Sequence, residues 1–236
     1  MTRAASLQLA ALFLATAVMS GCSNYSPSSS DQLQPTNFPS GDYLKADPNH
    51  VYKINSELSQ IIVTVRRGGL MARLGHDHIV ASNHVQGFIY LDRENQQCKA
   101  DIFVPLNALE VDNIELRAAS AMTTEPSAAD IAGTKSNMLK SIEAIAYPFA
   151  LLQSSDCTGS LSSRPVSAEL NIHGVTQAVQ LAVAAKQPAL GQLALSGEFS
   201  LLQSDFGIKP FSIMNGLIKV QDELVLTFRL QAQKPN

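Results

Sequence analysis

The residues best suited to chemistry lie close together. His76, Asp77 and His78 follow Gly75, and His84 comes six residues after His78. In an extended segment His76 and His78 share a face, and His84 comes back to them if the chain turns in between. Three imidazoles around an open position suit zinc or copper. The spacing matches no strong metal pattern, however, and tight turns use Asp and His for local hydrogen bonds. Turn-and-rim polarity is the first reading. A metal-dependent or redox site at His76, His78 and His84 is the alternative. His173 stands beside Gly174 and reads as a structural hydrogen bonder. Asp222 and Glu223 are adjacent, so on a strand they point to opposite faces and cannot share a substrate. The chain has no H-E-x-x-H, G-x-S-x-G, phosphate-loop or dinucleotide glycine pattern. With no assembled nucleophile or base, no catalytic residue is assigned, no enzyme is expected and no cofactor is called for.

Three cysteines remain to be placed, and each says something about the compartment. Cys22 follows Met19-Ser20-Gly21, after a basic start at Arg3 and an apolar run from Leu7 to Val18. A charged start, a short apolar stretch and small residues before a cut site describe an export signal. A Cys at the cut makes it a lipoprotein signal, with Cys22 as the lipidated new N-terminus. The run is shorter than the roughly 20 residues that span a bilayer. Cys98 opens one strand-like run and Cys157 closes another. In an exported protein such a pair invites a disulfide, because the start of one antiparallel strand meets the end of its neighbour. Two buried free thiols are the other option.

Composition bounds the rest. The chain carries 17 basic and 20 acidic side chains, and removing residues 1–21 takes away only Arg3 among them. No basic block suggests a nucleic-acid partner. Residues 22–49 are rich in Ser, Pro, Asn, Asp and Gln, and read as a lipidated N-terminus with a flexible linker. Residues 50–236 then form one domain large enough to bury a core.

Within that domain, period-two alternation dominates. Ile61, Val63 and Val65 alternate with Ile62, Thr64 and Arg66, and the same rhythm returns down to Leu224, Leu226, Phe228 and Leu230. Glycines at 68–69, 159, 191, 207 and 216 mark turns. One interval departs from the pattern. Residues 113–143 carry helix formers, and Ser127 with Asp130 reads as a capped helix start. About eight antiparallel strands with one helical excursion argue for an up-and-down barrel, and a barrel of that size can hold one small ligand.

The motifs now resemble a known family. Leu170-Asn171-Ile172-His173-Gly174-Val175-Thr176, followed by Val179 and Leu181, is similar to the hairpin of YceI-like domains. Ser204-Asp205-Phe206-Gly207-Ile208 and Val220-Gln221-Asp222-Glu223-Leu224-Val225 resemble two later segments of that family. Tyr52-Lys53-Ile54, Val85-Gln86-Gly87-Phe88 and Tyr147-Pro148 fit earlier ones. Gln203 stands where the family often has Arg, and the turn from Arg73 to His78 is unlike the usual one, so no role is carried over to either. The resemblance implies a lipocalin-like barrel in exported proteins whose pocket holds a long apolar chain, such as a polyisoprenoid, an isoprenoid quinone or a fatty-acid derivative. Val65, Phe88, Phe103, Leu170, Phe199, Phe206 and Phe228 are the expected wall residues.

The expected function is carriage or storage of one such lipid, with the isoprenoid or fatty-acid-like ligand as the bound small molecule. The membrane would be engaged through the N-terminal lipid anchor, with pairing into a homodimer left open. Ser23 after the lipidated Cys, by resemblance to sorted lipoproteins, places the protein in the cell envelope at the outer membrane, facing the periplasm. A structural interaction module without ligand is the third reading.

Overall fold

Alternation needs a sheet with one dry face, and the chain builds one that closes on itself. The computed structural model describes residues 34–158 and 165–235. The signal segment 1–21 and Cys22 lie outside the described residues. Strands β1 (Val51–Ile54) and β2 (Gln60–Gly68) run one after the other along the final strand, β12 (Ile218–Gln233). The next two segments, β3 (His78–Ser82) and β4 (Gln86–Asp92), pair with β2 and β1 respectively. The third pair, β5 (Gln97–Pro105) and β6 (Glu110–Val111), pairs with β4 and β3. Each of these pairs is one long strand broken by a short irregular segment. Strands β7 (Phe149–Asp156), β8 (Val166–Ile172), β9 (Val175–Lys186) and β10 (Gln192–Leu202) follow as antiparallel neighbours. Strand β10 pairs with β12, and β12 pairs back to β1 and β2. The result is a closed eight-stranded antiparallel barrel in simple up-and-down order, lipocalin-like as expected. A two-residue strand, β11 (Ser212–Ile213), doubles back on the start of β12.

The three breaks have a physical use. A long strand in a small closed barrel must bend sharply, and interrupting its ladder relieves the bend. At Gly197 the same crowding removes a side chain. A Cβ there would lie 2.5 Å from the Ala182 carbonyl and 2.6 Å from the Phe228 ring, the residue directly across the ladder.

The helical excursion sits between β6 and β7. Helix α2 (Ile114–Ala119) is capped by the Asn113 side chain, and α3 (Ala128–Ser141) opens with the capping box of Ser127 and Asp130. Strands β6 and β7 share no ladder, and α3 packs beside β6 there. This end, with the β2–β3 and β10–β12 loops, is called the mouth. The other end carries the β4–β5 and β9–β10 turns. There Cys98 and Cys157 form a disulfide with their Cα atoms 4.9 Å apart.

The segment before the barrel corrects one expectation. Within the stretch expected to be linker as far as Asn49, residues 38–45 pack onto the barrel. Helix α1 (Ser40–Lys45) lies against the outside of β4, with Phe38 and Tyr43 buried. Composition alone undervalued two aromatic side chains that meet an aromatic patch already waiting on the wall.

Candidate functional site

The inward residues of the strands leave space between them. A cavity of about 360 Å³ runs from the disulfide to the mouth. Leu91, Cys98, Cys157, Val166, Leu193 and Leu230 surround its deep end. Ile89, Ala100, Leu152, Leu195, Phe199 and Phe228 form the middle. Val65, His78, Ile172, Ile208, Phe211 and Leu224 ring the mouth. The wall is apolar almost throughout, and its size suits a small-molecule site. Part of it is helical: Thr134, Asn137, Met138, Ser141 and Ile142 face the cavity where β6 and β7 do not meet. Sequence reasoning missed this helical wall, because α3 carries no fully buried residue and no strong apolar stripe.

Four of the seven expected wall residues, Val65, Leu170, Phe199 and Phe228, line the cavity. Three do not. Phe88 alternates with Ile89 and Leu91, and Phe103 with Ile102 and Val104, so both point outward. They form an outer aromatic cluster with the N-terminal segment. Phe38 meets Phe103 at 4.8 Å between ring centroids, and Tyr43 stacks on Phe88 at 5.1 Å. Phe206 sits in the helical turn Gln203–Phe206, 1% exposed, and packs with Leu201 and Ile208 behind the mouth.

The histidines also separate. His76 and His78 have ring centroids 6.3 Å apart, but His84 is exposed beyond the far end of β3, about 20 Å along the strand from His78. Among the described residues no group of three His, Cys, Asp or Glu side chains is placed to hold a metal ion. His78 instead joins a buried polar network that the sequence reading did not anticipate. Its Nδ1 lies 2.7 Å from Asp112 Oδ2. Asp112 Oδ1 accepts from the Ile79 N–H at 3.1 Å and from Arg117 Nη1 at 2.6 Å. Arg117 also donates to the Asp77 carbonyl at 2.7 Å and to Thr124. Burial works against ionisation of Asp112, but His78, the Ile79 N–H and Arg117 together hold its carboxyl below the usual range. Asp112 adopts φ +55°, a left-handed conformation that Asp tolerates better than most residues. The network fastens α2 to β3 and fixes His78 at the cavity wall. Asp112 engages Nδ1, and His78 lines the cavity.

The two remaining chemical suspects are structural. His173 Nδ1–H donates to the Phe206 carbonyl at 3.1 Å, and its ring packs edge-on against Tyr147. Asp222 accepts from the Ser204 hydroxyl at 2.6 Å and the Ser204 N–H at 2.9 Å, which pull its carboxyl below the usual range.

Comparison with known proteins agrees with this architecture. The family model for the YceI-like domain matches residues 52–232. Among solved structures, a polyisoprenoid binding domain from Saccharophagus degradans implicated in plant cell wall breakdown superposes with a TM-score of 0.54 at 13% identity. It covers 78% of this chain and 98% of its own. BcnA from Burkholderia cenocepacia gives a TM-score of 0.54 at 15% identity, covering 76% and 99%. At these identities the likeness is one of fold. The chain matches no curated protein.

Proposed function

From a chain that belongs to the YceI-like domain family, we propose a cell-envelope lipoprotein that holds one long apolar lipid inside its barrel, for carriage or storage. A polyisoprenoid, an isoprenoid quinone or a fatty-acid derivative has the required shape. The observation that carries this reading is the apolar cavity itself, lined by aliphatic and aromatic side chains from the disulfide to the mouth. Each methylene buried there is worth about 0.8 kcal/mol, so ten give about 8 kcal/mol before the costs of ordering the chain. The wall needs little polar recognition to achieve this. What polarity it has at the mouth, His78 and the α3 residues Thr134, Asn137 and Ser141, suits a head group left near water. The related polyisoprenoid binding domain supports the ligand class by analogy of fold. The role is binding, with no chemistry on the lipid. Export, Cys22 lipidation and an outer-membrane position facing the periplasm are parts of the same proposal, resting on the N-terminal sequence.

Lipid extraction and mass spectrometry of protein purified without detergent tests the reading. One apolar lipid per barrel is the expected result. Filling the cavity with Ala100→Phe and Ala150→Phe should expel it while the barrel stays folded. An empty wild-type barrel, or a lipid retained by the filled variant, would overturn the assignment.

A further inference from the structure

The mouth of the barrel has an outer rim that meets the cavity only at Phe211. Five of the large apolar side chains exposed among the described residues lie on two loops there. Leu70 and Leu74 lie on the β2–β3 loop, and Phe211, Ile213 and Met214 on the β10–β12 loop. Leu70 is 92% exposed and Met214 56%. The loops are physically joined. The Met71 N–H donates to the Leu217 carbonyl at 2.9 Å, and β11 pairs with the start of β12. An apolar patch of this kind on a folded surface marks an interaction site.

Charge says what it meets. The chain as a whole is net negative, at −3. Among the apolar tips of the two loops stand Arg73 and Lys209, with Lys219 at the start of β12, while the acids of these loops are Asp77 and Asp205, the latter on the helical turn Gln203–Phe206. Asp77 is engaged by Arg66 and by the Arg67 N–H, and Asp222, beside Lys219, is engaged by Ser204. Apolar tips with Arg73 and Lys209 among them suit an anionic lipid surface, where the tips sink to head-group depth and the cations meet phosphates. The N-terminal chain points the same way. Phe38 packs against Phe103 near the mouth end of β5, so the described chain begins at this end of the barrel. From Gln34 back to Cys22 is a reach of at most about 40 Å.

We propose that the rim formed by Leu70, Leu74, Phe211, Ile213 and Met214 is a docking surface for an anionic bilayer, which the barrel meets mouth first. The inference rests on the reading that the cavity takes an apolar lipid. Phe211 belongs to both the rim and the cavity wall, so a docked mouth lets such a guest pass between bilayer and barrel without crossing open water.

The test uses residues 34–236, which hold the whole core, the disulfide and the rim but not Cys22. Vesicles of phosphatidylcholine alone are compared with vesicles of two parts phosphatidylcholine to one part phosphatidylglycerol. The protein should float with the anionic vesicles and release at high salt. Leu70→Glu with Met214→Glu, both at exposed positions, should cut the bound fraction at least about tenfold. No flotation, or flotation indifferent to that double variant, overturns the proposal. So does a dimer that the double variant abolishes while vesicles are ignored. Lipid extracted from the same preparations reads the cavity separately. Protein that carries a lipid but ignores vesicles refutes the docking surface alone. Protein that floats without a bound lipid supports the surface and refutes the cavity reading.

Discussion

The Tyr43 hydroxyl donates a 2.6 Å hydrogen bond to Asp101, a carboxylate with no exposed surface on the outer wall of the barrel. Asp101 also accepts from Gln153 and pairs with Lys99 Nζ at 3.2 Å. Burial, and then Asp101 itself, push the Tyr43 phenol well above its ordinary value, so it stays a donor. Through this bond and the stack on Phe88, the N-terminal segment becomes part of the fold. Tyr43→Phe leaves a buried carboxylate short of one partner and should cost about 1–3 kcal/mol in urea unfolding. An unchanged midpoint would show that the segment merely rests on the barrel.

Asp112 sets an acid limit on stability. Its carboxyl is held below the ordinary value of 3.8 in the folded state. A lowered carboxylate stabilises the fold at pH above its unfolded value, and that contribution is lost as the pH falls through the folded value. Unfolding midpoints should therefore drop steeply below about pH 4. Asp112→Asn should flatten that limb and cost about 3 kcal/mol at neutral pH, because Arg117 loses its buried counter-charge. An acid limb that survives unchanged in the variant would assign it to other groups.

The disulfide closes the deep end across a sequence separation of 59 residues. Chain entropy gives about 4 kcal/mol for a loop of that length, as an upper figure. Cys98→Ser with Cys157→Ser should lower stability by up to that amount. It should also loosen the deep wall, read as faster hydrogen exchange at Leu91 and Val166. Equal stability with and without reductant would contradict this.

Gly197 and Phe228 make a test of the cavity from within. Any Cβ at position 197 collides with the Phe228 ring, which lines the middle of the cavity. Gly197→Ala should push that ring inward, cost about 1–3 kcal/mol and reduce the lipid recovered. Adding Phe228→Ala removes the collision with the ring, so the two changes should be non-additive in a double-mutant cycle. Simple additivity would place the crowding at the Ala182 carbonyl alone.

Period-two patterning made the barrel readable, since Ile89, Leu91, Ala100, Ile102 and Val104 obey it without exception and face the cavity. It misled where aromaticity was ranked above phase. Phe88 and Phe103 keep the outward phase of their strands, and their bulk made them attractive wall candidates all the same. The N-terminal strap was hidden for another reason. Phe38 and Tyr43 are isolated in a polar stretch, and only the folded wall creates the surface that holds them. The His78–Asp112–Arg117 network spans 39 residues of sequence, and nothing local links its members. His76 and His78 do lie near each other, as their spacing allows. His84 is carried away because the segment after His78 is a strand and not a turn.

One stretch of the perimeter is closed by α3 in place of a strand. Along most other seams of the described barrel, parting the wall means unzipping a row of backbone bonds. Between β6 and β7 the wall is instead made of side chains such as Met138 and Ile142. The cylinder thus has a built-in seam. Side-chain packing, and no backbone ladder, keeps that seam shut.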